Sequence, residues 1–186
     1  LLDELEHPGG NDPKLISIVA PVGYGKTVLM SRLHACRQHG AEQCFWIGLD
    51  NRDVSVKRVL RSLASAIGGR EASVHPTQAL LIGDEPLESA VDALLGLIAR
   101  IAGPATIFID NLNSCTDPNL GELLDALLFR TADRIRLVWS STDELPVNIG
   151  RAKLEGLIRQ IGFADLSFSG GETRELLGAA LERQIR

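Results

Sequence analysis

Eight consecutive residues, Ala20-Pro-Val-Gly-Tyr-Gly-Lys-Thr27, combine the types and spacing needed to hold a row of phosphates. Ala20, four intervening residues and then Gly-Lys-Thr is the phosphate-loop pattern. Gly23 and Gly25 let the backbone turn sharply and bring successive N–H groups toward phosphate oxygens. Lys26 supplies a cation for the terminal phosphates, and the Thr27 hydroxyl is a ligand for the magnesium that travels with them. The residues expected along the nucleotide are Pro21, Val22, Gly23, Tyr24, Gly25, Lys26, Thr27 and Val28. The bland alternative, a Gly-rich turn with no ligand, does not account for Lys26 and Thr27 in that order.

A phosphate loop binds, but it needs a partner for the magnesium. The apolar run Ala105-Thr-Ile-Phe-Ile-Asp110 ends in a carboxylate suited to that task, so Thr27 and Asp110 are the expected metal pair. Asn111 follows. Hydrolysing ATPases of this architecture often carry a second acid there to activate the attacking water. An amide hydrogen-bonds a water but does not take its proton at neutral pH. Lys26, Asp110 and Asn111 are therefore the catalytic candidates, Asn111 only as an orienter of water, with binding better supported than turnover. Ser140, Ser141 and Thr142 are polar residues at a third strand's end, where hydroxyls sense a phosphate or merely finish a strand at the surface.

These residues need elements to position them. Short apolar runs alternate with helical patterns, the signature of an α/β domain with a mostly parallel sheet. Strands are expected at 15–20, 44–49, 105–110 and 135–140, with a weaker one over 158–168. Helices are expected at 26–38, 56–67, 87–102, 120–130 and 173–186. Leu87, Val91, Leu94, Leu95, Ile98 and Ile101 keep one apolar face, which reads as core. The stretch 68–86 holds three glycines and two prolines and reads as a long surface loop. In a P-loop NTPase with an inserted strand, 135–140 lies between the strand before the phosphate loop and the strand ending at Asp110, in a five-stranded sheet flanked by helices. The core is expected over 1–168, with 169–186 beginning a helical extension.

Near the end, Phe168-Ser-Gly-Gly-Glu172 mimics the signature that transporter ATPases use to close on a partner's nucleotide, but it lies after the acidic strand rather than before it. Ser169 and Glu172 instead have capping-box spacing.

The 186 residues make one ordinary domain, and 45% of them are hydrophobic, enough for a sizeable core. The net charge of -5 and a pI near 5.4 argue against this chain gripping a nucleic-acid backbone by itself. No run reaches the length of a membrane span, and Leu1-Leu-Asp-Glu-Leu-Glu6 is too acidic for a signal peptide. Cys36, Cys44 and Cys115 form no CxxC pair and fit free thiols in a reducing cytoplasm. The histidines, His7, His34, His39 and His75, lack zinc-ligand spacing.

Ala20-Pro-Val-Gly-Tyr-Gly-Lys-Thr27 followed by Phe45-Trp-Ile-Gly-Leu-Asp50 resembles the ATPase domain of the large MalT-like (LAL) transcriptional regulators, within the STAND class of signal-transduction ATPases. That family reads Ala-Pro-Ala-Gly-Tyr-Gly-Lys-Thr, then Trp-Leu-Ser-Leu-Asp, then a strand ending Asp-Asp. Leu1-Leu-Asp-Glu-Leu5 resembles its leading helix, and Asp165-Leu-Ser-Phe-Ser169 with Glu172 resembles its stretch after the last strand, so the likeness covers nearly the whole chain.

The resemblance implies an ATP/ADP switch with magnesium and self-association of the full-length protein when ATP is bound. It also implies DNA contact through a C-terminal LuxR-type helix-turn-helix and an inducer held by helical repeats, neither of which is in this sequence. Two departures stand out. The family usually has Asp at position 111 and often Arg at position 142, where this chain has Asn111 and Thr142. Losing a charged partner costs roughly 1.5–3 kcal/mol per hydrogen bond in a desolvated site, so slow hydrolysis or none is expected. The other functions that fit the motifs are an active ATPase or small-molecule kinase, and a module that has lost nucleotide and serves in oligomerisation.

Overall fold

The computed structural model describes residues 13–40, 42–50, 52, 54–69 and 86–167. Among the described residues five parallel strands form one sheet: β1 (Leu15–Val19), β2 (Gln43–Gly48), β3 (Ala105–Asp110), β4 (Ile135–Ser141) and β5 (Ile158–Ile161). Their spatial order is β2-β3-β4-β1-β5, so β4 lies between the strand that leads into the phosphate loop and the strand that ends at Asp110. This is the P-loop NTPase arrangement expected from the motifs. β1 and β3 are apolar almost without alternation because helices or loops cover both faces.

The helices are α1 (Lys26–His39), α2 (Val56–Gly68), α3 (Leu87–Ala99), α4 (Leu120–Arg130), α5 (Ile149–Leu154) and α6 (Phe163–Leu166). The larger core lies on one sheet face, where α2, α3 and α4 pack on Ile107, Ile109, Leu137 and Trp139. In α2 the stripe Val56, Val59, Leu60, Leu63, Ala64 and Ile67 recurs at three- and four-residue steps, which puts all six on the buried side. The smaller core forms on the opposite face, where Leu29, Met30 and Leu33 of α1 meet Ile16, Ile18, Phe108 and Val138.

Several boundaries differ from the sequence pattern for identifiable reasons. Helix α3 stops at Ala99, short of 102, because the Arg100 and Ile101 N–H groups bond back to Leu97 and Ile98 and tighten the last turn. Gly103 at φ 83° and Pro104 then finish the turn. The last strand is four residues rather than the run 158–168, because the Asp165 carboxylate accepts the Gly162 N–H at 2.8 Å and opens α6. Helix α5 was not expected. Its marker is Asn148, whose Oδ1 accepts the Arg151 N–H at 3.1 Å as an N-cap. The expected helix 173–186, the capping box at Ser169 and Glu172, and most of the loop 68–86 fall outside the described residues. No helix among the described residues is long and apolar enough to cross a membrane.

Candidate functional site

The phosphate loop leaves the C-terminal end of β1 and turns into α1. Gly23 and Gly25 adopt φ 91° and 77°, a region costly for residues with a Cβ, so the two glycines are what allow the loop its path. A Cβ at either position would meet nothing within 4 Å, so backbone conformation alone demands glycine here. Gly25 is the N-cap of α1, no side chain caps that end, and the first turn holds no acid. Its free N–H groups and positive dipole end therefore face the loop, the arrangement that binds an anion.

Lys26 Nζ donates to the carbonyls of Ala20 at 2.7 Å and Pro21 at 3.0 Å, which holds the ammonium against the loop. Thr27 Oγ1 donates to Asp110 Oδ2 at 2.8 Å, across 83 positions of sequence. The two expected metal ligands thus meet. A hydroxyl and a carboxylate at that separation are hard oxygen donors suited to magnesium, so the residues present fit such an ion. Val22, Tyr24 and Val28 are exposed around the loop.

Strand register sets the other side. Ile109 pairs with Trp139, which brings Asp110 beside Ser140 one step further along. Ser140 Oγ donates to Asp110 Oδ1 and accepts the Asn111 N–H at 2.9 Å. Asn111 adopts φ 66°, a left-handed conformation that asparagine tolerates better than most residues. Its Nδ2 donates to Leu49 O at 3.0 Å and Ser114 Oγ at 2.8 Å. The amide is therefore engaged with the end of β2 and the 3-10 turn Leu112–Ser114. Beyond it, Asn113 Oδ1 accepts the Thr142 N–H at 3.1 Å, and the Thr142 hydroxyl donates to Asp143 at 2.8 Å. Ser141 is buried, with Oγ accepting the Asp143 N–H at 3.2 Å.

Sequence reasoning on local motifs missed Ser140 as a partner of Asp110 and Leu49 as a partner of Asn111. A polar residue on the α1-facing side of β4, level with Asp110, was the available signal. Trp46 packs: it stacks on Phe108 with ring centroids 5.4 Å apart and meets His34 edge-on. Asp50 accepts from Arg52, and that side-chain hydrogen bond, with the Arg52 backbone N–H, lowers its carboxyl to about 2. Asp117 accepts the Val56 N–H at 3.0 Å and serves the N-terminus of α2. Backbone donors, Val56 first and then Asn119, hold its carboxyl below the usual range. Among the described residues no group of three His, Cys, Asp or Glu side chains could hold a metal ion.

No family model matches the chain. The HTH-type transcriptional regulator MalT of Cronobacter sakazakii is 28% identical over 181 residues, which is 95% of this chain and 20% of that protein. The chain thus spans a fifth of the curated relative it matches. Among solved structures, the Aeropyrum pernix ORC1 protein, in complex with DNA, superposes with a TM-score of 0.60 at 18% identity, covering 92% of this chain and 44% of that one. Cdc6p of Pyrobaculum aerophilum gives 0.55 at 13% identity, covering 87% of this chain and 41% of that one. These two likenesses speak to the fold alone. The chain is MalT-like along nearly its whole length, and its fold is that of a P-loop NTPase.

Proposed function

We propose that this MalT-like P-loop domain is the nucleotide-binding switch of a larger transcriptional regulator, taking ATP or ADP with magnesium and hydrolysing ATP slowly or not at all. The observation that carries the reading is the meeting of Thr27 and Asp110 at 2.8 Å beside a glycine-turned loop and an uncapped helix N-terminus. In it, backbone N–H groups of Pro21–Val28 (other than proline's) and Lys26 bind the phosphates, while Thr27 and Asp110 hold the metal. Magnesium, when bound, neutralises phosphate charge.

Slow turnover is supported by Asn111, whose amide is spent on Leu49 and Ser114 and offers no base for an attacking water. On this reading the core spans 1–168 and 169–186 opens a helical extension. DNA contact, inducer binding and ATP-dependent self-association belong to the larger protein, in the cytoplasm.

The test is thermal unfolding with nucleotide and magnesium, with wild type beside Lys26→Ala, together with phosphate release. Ligand at a hundred times Kd stabilises by about 2.7 kcal/mol, so the midpoint of wild type rises by several degrees. The variant, folded, does not respond, and phosphate release stays near background. An equal response in the variant would sink the proposed site. Fast phosphate release would make the domain an ATPase in its own right.

A further inference from the structure

Ser140 stands out among the polar residues of the sheet. Its side chain is fully buried, and its hydroxyl both donates and accepts at the tip of β3. The Asn111 N–H occupies the acceptor side of Oγ at 2.9 Å, and the single hydroxyl proton goes to Asp110 Oδ1. That leaves Asp110 Oδ2 turned to Thr27, at 2.8 Å. A carboxylate rotates freely about its last bond unless something holds one oxygen, and here Ser140 holds it. The register Ile109–Trp139 puts the two side chains level on the α1-facing side, and the central place of β4 keeps them there.

We infer that Ser140 is the positioning residue of the metal pair. It fixes which oxygen of Asp110 is presented beside Thr27, and so sets how strongly magnesium tightens nucleotide binding. This assigns Ser140 a task distinct from sensing a phosphate, because its hydroxyl is buried and its proton is already given to Asp110. The inference rests on the nucleotide reading above. Partners that orient metal ligands in this way are worth roughly tenfold to a hundredfold in metal affinity.

The experiment measures ADP affinity of the full chain with magnesium and again with EDTA, and takes the ratio. In wild type, magnesium tightens binding. In Ser140→Ala the ratio falls about tenfold while the EDTA affinity stays within about twofold. Ser140→Cys keeps the packing but donates weakly, so it also loses the ratio. Ser140→Thr, which keeps the hydroxyl, restores it. A structural role alone would instead weaken binding equally with and without magnesium. That outcome, or an unchanged ratio in Ser140→Ala, overturns the inference and leaves the proposed function standing. Failure of both the Ala and the Cys variants to fold would assign Ser140 to the core and overturn it equally. Absence of ADP binding in folded wild type overturns the proposed function, and the inference with it.

Discussion

The phosphate loop and the tip of β3 face each other between Thr27 and Asp110, yet they are held by different means. The loop is exposed and shaped by its backbone: two glycines at positive φ, an uncapped helix end, and a lysine resting on two carbonyls of its own loop. The tip is partly buried and shaped by side-chain hydrogen bonds, with the side chains of Ser140, Asn111 and Ser114 and the Leu49 carbonyl tying the ends of β2, β3 and β4 to the 3-10 turn. A loop set by backbone tolerates change in the side chains around it, provided the glycines, the lysine and the threonine remain. A tip set by cross-strand hydrogen bonds does not tolerate even an isosteric change, because each buried donor lost leaves its acceptor stranded.

Asn111→Asp tests that contrast most severely. The change keeps the shape but removes the donor to Leu49 O and Ser114 Oγ and sets a carboxylate against a carbonyl. Denaturant unfolding should show a loss of about 1–3 kcal/mol, while the carboxylate, now able to act as a base, raises the low rate of phosphate release. Unchanged stability would mean that the hydrogen bonds at the tip are not what holds it. Next is Gly25→Ala. The added methyl meets no atom, so only the left-handed backbone resists it, and the expected cost is about 1–2 kcal/mol together with weakened nucleotide binding. Full stability with full binding would show that the loop does not require that conformation.

Legibility followed the same division. The loop's chemistry is written in eight adjacent residues, so the sequence alone pointed to Gly23, Gly25, Lys26 and Thr27. The place of β4 between the two motif strands could be anticipated from likeness to P-loop NTPases with an inserted strand, and the sheet has it there. The Ser140–Asp110 bond joins positions 30 apart, and Asn111 reaches Leu49 over 62, so neither follows from local pattern. Helix α2 gives the same lesson. Its start carries Ser55 at the N-cap position, which makes no side-chain cap, and the acceptor comes from Asp117 on a distant turn.

That remote cap yields the smallest predicted effect. Asp117→Ala should cost about 1 kcal/mol at neutral pH, the usual worth of an N-terminal acceptor. The carboxyl is held below its ordinary value of 3.8 in the folded chain, so its contribution is complete well above that pH and fades as pH falls through the folded value. The gap between wild type and variant in urea melts should therefore close in acid. A gap that persists unchanged in acid would show that the charge of Asp117 plays no part.

The most direct test of the central claim is calorimetric titration of the folded wild-type chain with ADP and with ATP in the presence of magnesium. Saturable binding at one site per chain, for both nucleotides, is the predicted result. A folded chain that gives no saturable heat with either nucleotide would contradict the account, because the loop, Lys26 and the Thr27–Asp110 pair would then be assembled without binding phosphate.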